Sequence, residues 1–301
     1  MDLLLRPLEA LLVDARRLEP RWPPTFVIGA PRSGTTRVGL HLAQAFRWAY
    51  FPNVAKRARK TPYLSTRRAL RRAGPWRGGY ANRYGHAEGE LAPSDGWDVF
   101  LRWFDGYREA RAADAARARP LATLVRRMED LFGAPFLCKN NHNTMRIGAL
   151  AALFPEAFFV DVRRALPETA ASLLEARARH QVALGAWWSA APPQYLSWTF
   201  ASELEQVVAT IVGLERYAAA ELQRAAPGRH RILDYESFCA RPGELLAWLE
   251  EAYAAHPTRP VRLERQAGEL PASFDASRLP AARRAALEAQ MAPIVARLAS
   301  E

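Results

Sequence analysis

The chain has 301 residues, half of them hydrophobic, which is ample material for the buried core of one large domain. Two cysteines are too few for a disulfide framework or a zinc cluster, and no uninterrupted apolar stretch is long enough to span a bilayer. The formal net charge of +11 admits an anionic substrate, a nucleic acid or a merely solvated basic face.

In the first twenty residues Asp2, Arg6, Glu9 and Asp14 interrupt every apolar run, so this stretch does not read as a signal peptide. Leu4, Leu8, Leu11 and Leu12 follow the spacing of an amphipathic helix instead. A soluble, cytoplasmic protein without leader or membrane anchor is expected. Trp22-Pro23-Pro24 punctuates the chain, Thr25–Gly29 reads as a buried strand, and Gly34–Phe46 reads as a helix. Between Lys56 and Arg77 lie nine basic residues and no acidic one, without the interleaved aromatics that single-strand binders use. Residues 52–132 carry helical stretches separated by Gly and Pro breaks and no convincing strand. Phe136–Lys139 is a short strand candidate ahead of the polar cluster KNNHN. Met145–Phe154 follows helix spacing, and Phe158–Val162 is strongly apolar. Pro167 opens a helix that runs to about Arg179. A long helix covers roughly 202–225, His230–Leu233 is a short strand, and Glu244–Tyr253 a helix. The tail from Pro257 gives little pattern. Alternating strands and helices predict an α/β fold: a three-layer, mainly parallel sheet flanked by helices. The core would be about 22–50 and 134–255, with a helical insert at about 52–132 and a tail at 257–301. Oligomeric state is not legible.

Residues 26–37, FVIGAPRSGTTR, nearly spell a Walker A loop. The lysine and hydroxyl residue expected after Gly34 are Thr35 and Thr36, and Arg32 precedes the second glycine. In a strand–loop–helix setting the amides of Arg32 to Thr36 form an anion cradle. A nucleotide-hydrolysing enzyme also needs an aspartate at a strand end for magnesium. Asp161, the nearest match, falls inside its strand.

PRSGTT after FVIGA resembles the 5′-phosphosulfate loop of the sulfotransferases that use 3′-phosphoadenosine 5′-phosphosulfate (PAPS), which carry a basic residue where Arg32 stands. FFVDVRRALPETAASLL resembles that family's second signature, an arginine ending a strand and a serine eight residues on, here Arg164 and Ser172. The family's usual Asp/Asn-Pro after that arginine is Ala165-Leu166. FLCKNNHNTMRIGALAALFPEAFFV resembles its Lys-x-x-His segment, and RILDYESFCARP its Tyr-Glu-Asp segment, with Ser237 in place of the aspartate. The resemblance implies a P-loop-like fold and sulfuryl transfer from PAPS to a hydroxyl or amine, in line and without a metal. It also implies 3′,5′-ADP as product. Arg32, Ser33, Gly34, Thr35 and Thr36 would hold the phosphosulfate, Arg164 and Ser172 the 3′-phosphate, and Tyr235 the adenine. Arg32 and Lys139 would stabilise the developing charge. His142 is the first candidate general base, Glu88 and Glu90 are alternatives, and His86 is a third. The aromatic segment Trp97–Tyr107 and the pair Trp187-Trp188 either wall an acceptor pocket or belong to the core. A small molecule, glycan or lipid fits as acceptor. Two rivals differ in prediction: a P-loop kinase requires ATP and magnesium, and a nucleic-acid or polyanion binder is indifferent to Arg164.

Overall fold

A computed structural model describes residues 2–76, 78–80, 82–83 and 86–300. Four strands form one parallel sheet in the order β4-β1-β5-β6. They are β1 (Thr25–Ile28), β4 (Leu137–Lys139), β5 (Phe158–Arg163) and β6 (His230–Asp234). The two inner strands read TFVI and FFVDVR, nearly continuous apolar runs, because helices cover both faces of such strands. Register pairs Thr25 with Leu137 on one side and with Phe158 on the other. The carboxyl ends of all four strands therefore open on one side of the sheet, where α/β proteins place their ligand crevice.

One helix lies on each side of β1 in the chain. The first, α1 (Asp2–Glu9), continues as a π turn to Asp14. Its expected apolar stripe is not its inner face: Leu8 and Leu11 are exposed, whereas Glu9 and Val13 are buried. Glu9 accounts for this orientation. Its carboxylate accepts from the amides of Tyr63 (2.8 Å) and Leu64 (2.9 Å), which open α4 (Pro62–Ala73). A carboxylate at an otherwise uncapped helix start is worth burying. The second, α2 (Thr35–Ala45), follows β1 and packs on β1 and β4.

Residues 52–132 are mainly helical, with α3 (Asn53–Arg57), α4, α5 (Trp97–Phe100) and α6 (Arg119–Phe132). They also contain a hairpin the sequence reading omitted, β2 (Asn82–Arg83) against β3 (His86–Ala87). Strands of two residues carry no readable alternation. The polar cluster after β4 is a 3₁₀ turn (Asn141–Arg146) that leads into α7 (Ile147–Leu153), with Asn140 as its cap. Arg146 is fully buried there, 5.3 Å from the ring centres of Trp97 and Phe104 and 5.5 Å from that of Phe100. It fastens α5 to the core by cation–π contact.

On the other side β5 leads into α8 (Leu166–Arg179), with Pro167 in its first turn as expected. Then come α9 (Glu203–Ala225), capped by Ser202, and after β6 the helices α10 (Tyr235–Ala240) and α11 (Gly243–Ala254). The unread tail forms α12 (Ala281–Ala299), which packs on α8 and α9. Arg284 reaches the buried Glu168 of α8 at 3.3 Å, and Arg297 pairs with Glu205 of α9. Both cysteines are buried and free. Among the described residues no helix is long and apolar enough to cross a membrane.

Candidate active site

The loop between β1 and α2 begins the site. Gly29, Arg32 and Gly34 all have positive φ (143°, 70° and 96°). Gly34 caps α2 without a side-chain hydrogen bond, so the first-turn amides keep their donors. Ser33 is the exception within the expected cradle, because its amide donates to the Ala30 carbonyl at 3.2 Å. Its hydroxyl is buried without a hydrogen-bond partner among the described residues. The loop is clamped from the turn after β4. Asn141 Nδ2 donates to the carbonyls of Gly29 (2.8 Å) and Ala30 (2.9 Å), and Thr35 Oγ1 donates to Asn141 Oδ1 at 3.4 Å. The Gly29 amide donates to Thr144 Oγ1 at 3.1 Å. Sequence reasoning missed this clamp, although an asparagine run at a strand end is its signal.

Arg32, Gly34, Thr35 and Asn141 line a cavity of about 670 Å³ at the carboxyl ends of the strands, whereas the buried Ser33, expected in the site, does not reach it. Arg32, Gly34, Thr35, Thr36, Lys139, His142, Arg164, Ser172 and Tyr235 all line it, so the structure brings nearly every expected residue together. Two pairings differ from expectation. Ser172 bonds Arg32, whose Nε donates to its Oγ at 3.0 Å, rather than Arg164. Arg164 donates to the carbonyls of Ala276 (2.8 Å) and Ser277 (2.9 Å) in the segment before α12. Tyr235 is only 5 % exposed; its ring lies against Gly34 and 5.3 Å from the Arg164 guanidinium. It is a wall residue with little free face for adenine.

The two glutamates offered as bases do not reach the cavity. Glu88 is exposed, and Glu90 is paired with Arg72 outside the lining. The side chain of His86 lies outside the described residues. Asp161 is buried beside Arg163 at 2.9 Å and also stays away from the cavity.

The carboxylate that does enter is Asp95, from the loop before α5. Lys56 Nζ lies 3.1 Å from its Oδ1, which also accepts from the Trp97 amide at 3.1 Å. Its carbonyl accepts from Asn140 Nδ2 at 2.9 Å, which ties this loop to the end of β4. Burial pushes the Asp95 carboxyl up, but Lys139 and Lys56 outweigh it and hold the group below the usual range. Burial pushes the Lys139 ammonium below its ordinary range, with Asp95 opposing. Trp97 lies 3.6 Å from the His142 ring, centre to centre. Burial, with Arg146 adding to it, brings the His142 imidazole down to about 3, so it is neutral near pH 7. Trp188 enters from the far side on a loop held by the buried Arg177, which donates to the carbonyls of Ala183 and Ala186, both at 3.0 Å. Trp97 and Trp188 are thus wall residues, whereas Phe100 and Phe104 belong to the core. The cavity carries six cations against three carboxylates, an excess suited to an anion.

Comparison with known proteins gives the family and the fold. A family model described as the sulfotransferase family matches residues 23–253. Among solved structures, the sulfotransferase STF9 from Mycobacterium avium aligns with a TM-score of 0.51 at 15% identity, over 97% of this chain and 72% of that one. Sulfotransferase STF1 from Mycobacterium tuberculosis H37Rv aligns at 0.48 and 14% identity, over 83% and 72% of the two chains. At 15% identity the likeness to STF9 is one of fold. No curated protein matches the chain.

Proposed function

The chain belongs to the sulfotransferase family, and from that premise we propose that it moves the sulfuryl group of PAPS to a hydroxyl or amine of an acceptor, releasing 3′,5′-ADP. One observation carries this reading. A single 670 Å³ cavity is lined by the uncapped start of α2, with Gly34, Thr35 and Thr36, and by Arg32, Lys139, Arg164 and Ser172. A helix start and a second arginine on the wall of one cavity suit a nucleotide that carries a 3′- as well as a 5′-phosphate.

Transfer breaks the bond between sulfur and the bridging phosphate oxygen and forms a bond from sulfur to the acceptor. The acceptor proton goes to a base, and the electron pair of the broken bond stays on the phosphate. Positioning and electrostatics dominate such loose in-line transfers. The amides and hydroxyls of Thr35 and Thr36 would hold the 5′-phosphate. Lys139 neutralises charge on the sulfuryl oxygens and the leaving phosphate, and Asp95 keeps that lysine and Lys56 in place by Coulomb attraction. A sulfuryl group carries less charge than a phosphoryl group, so the chain's own cations suffice. Arg32 is directed by Ser172 toward α8 and would act with it on the nucleotide. Arg164 would exchange its two carbonyl acceptors for the 3′-phosphate, a stronger charge-assisted partner. His142 is the base. Its imidazole is neutral and able to accept a proton, and an anion bound in the cavity raises its proton affinity toward the useful range.

Calorimetric titration with 3′,5′-ADP, 5′-AMP and ATP, without magnesium, tests the donor. The wild type should bind 3′,5′-ADP at micromolar levels and 5′-AMP far more weakly. Arg164→Ala should remove that preference, a loss of roughly tenfold to a hundredfold for one charge-assisted contact. Tighter binding of ATP with a magnesium requirement would instead make the loop that of a kinase.

A further inference from the structure

We propose that the outer face of α1 and its π turn, together with the turn between α3 and α4, is a docking surface for a lipid bilayer that carries anionic headgroups. Two independent observations meet there. The first is apolar. Of the six large apolar side chains exposed among the described residues, Leu8 (45 % exposed) and Leu11 (56 %) stand one helical turn apart on the same segment, and Pro7 and Ala10 beside them are exposed as well. Their orientation is fixed from the other side of the segment. There Glu9 and Val13 are buried, and the Glu9 carboxylate accepts from the amides of Tyr63 and Leu64. Rolling the helix to cover the leucines would drag that carboxylate off the start of α4. The apolar strip is therefore held outward, where it gains by meeting another apolar phase.

The second observation is electrostatic. No aspartate or glutamate occurs between Glu19 and Glu88. Arg57, Arg59 and Lys60 are exposed where the chain turns into α4, as are Arg71 on α4 and Arg16 and Arg17 just past the π turn. None of these six makes an ion pair among the described residues. Asp14, the exposed acid in the same segment as the leucines, is neutralised by Arg102 at 2.9 Å. Like charges left uncompensated repel one another and favour a negative surface. The two features adjoin. Leu8 neighbours Glu9, which touches the start of α4, and Lys60 lies two residues before that helix, so Leu8 and Lys60 stand within about 20 Å of each other.

Apolar strip and cations together select the partner. At an anionic bilayer the leucines sink to the acyl boundary while the arginines and Lys60 rest on the headgroups. A nucleic acid would meet the cations and leave the leucines in water. A second copy of the chain would cover the leucines by bringing the same unpaired cations together. Two leucines or a few cations alone give weak, reversible attachment, and stable docking takes both signals. No helix of the described residues crosses a membrane, so the contact is one of surface only.

Vesicle flotation tests this with phosphatidylcholine alone and with an equal mixture of phosphatidylcholine and phosphatidylglycerol. The wild type should float with the mixed vesicles only, and less so as salt rises. Leu8→Ser/Leu11→Ser should bind the mixed vesicles roughly tenfold more weakly. Its affinity for a labelled single-stranded DNA decamer, the polyanion control, should stay at the wild-type level. Arg57→Ser/Arg59→Ser/Lys60→Ser should weaken vesicle binding roughly a hundredfold, at about fivefold per cation. Every residue replaced is exposed, so both variants should keep the wild-type Tm. A wild type that ignores the mixed vesicles, or floats equally with both kinds, overturns the inference. So does a leucine variant that binds them unchanged, which would make the surface one for polyanions such as nucleic acid. None of these results touches the donor reading, which the 3′,5′-ADP titration decides.

Discussion

Gly34→Ala is the sharpest probe of the loop, because two separate costs can be read from its surroundings. The residue sits at φ 96°, where any L side chain is strained by roughly 1–3 kcal/mol. A Cβ there would also lie 2.2 Å from Cε2 of Tyr235 and 2.3 Å from its Cδ2. Ordinary contact begins at 3.4 Å, so the ring must retreat by 3.4 − 2.2 = 1.2 Å. Tyr235 is only 5 % exposed and lies near Phe238 and Arg164, so the retreat strains the core by a further 1–3 kcal/mol or about that. The sum, about 2–6 kcal/mol, should lower Tm by roughly 4–12 °C in a chain of this size. Calorimetry on wild type, Gly34→Ala, Tyr235→Ala and the double variant separates the two costs. The steric share should vanish in the double variant, giving a favourable coupling of roughly 1–3 kcal/mol, and the backbone share should persist. Zero coupling, or an unchanged Tm for Gly34→Ala, would show that the ring does not hold the loop in this form.

Two further outcomes follow from buried groups. Arg146 has no carboxylate beside it, and its Nε and Nη2 lack hydrogen-bond partners among the described residues, so its volume should matter more than its charge. Arg146→Ala should cost about 3–5 kcal/mol in denaturant unfolding and Arg146→Met at least about 2 kcal/mol less; equal losses would assign the cost to the charge. His142 is neutral in the fold down to about pH 3, so the unfolded chain takes up more protons once pH falls below about 6.5. Its contribution is present above that value and is lost as pH falls, roughly 2 kcal/mol by pH 5. His142→Phe should therefore lose less stability than wild type between about pH 7.5 and 5, and identical pH profiles would show that the imidazole is not buried neutral.

Legibility followed the range of the interactions. The β1 loop, Lys139, His142 and the start of α8 were readable because each signal lies in a few neighbouring residues on a strand end or a first helical turn. Spacing placed Ser172 on α8, but it carries no information on which arginine the hydroxyl meets, and the answer is Arg32. Asp95 was invisible as a site residue because its position depends on a contact far along the chain, with Asn140, and sequence left open which of the aromatics in 97–107 is wall and which is core because that rests on their packing around Arg146. Glu88 and Glu90 looked equally acidic in sequence, and only the fold reveals that Arg72 holds Glu90 away. The helix α12 went unread although Leu287, Met291, Ile294, Val295 and Leu298 form its packed stripe; Arg284 and Arg297, which also dock it, pair with carboxylates far along the chain.

The missing Walker lysine has an account in the packing of α2 on β4. A P-loop lysine would rise from the first turn of α2, where this chain has Thr35. Here the cation next to the loop is Lys139, delivered from the end of the neighbouring strand across the surface of α2. Its stem passes over Gly39, where a Cβ would lie 2.9 Å from the Cβ of Lys139 and 3.1 Å from its Cγ. A glycine in a helix interior costs roughly 1 kcal/mol against alanine, so its presence in α2 needs a reason, and the close approach of Lys139 supplies one. The positive charge has thus moved from the first turn of α2 to the strand beside it. There Asp95 and Lys56, contributed by residues 52–132, fix its surroundings. The loop after β1 and the residues of the 52–132 segment thus face one shared lysine, which links two sides of the cavity through a single charge.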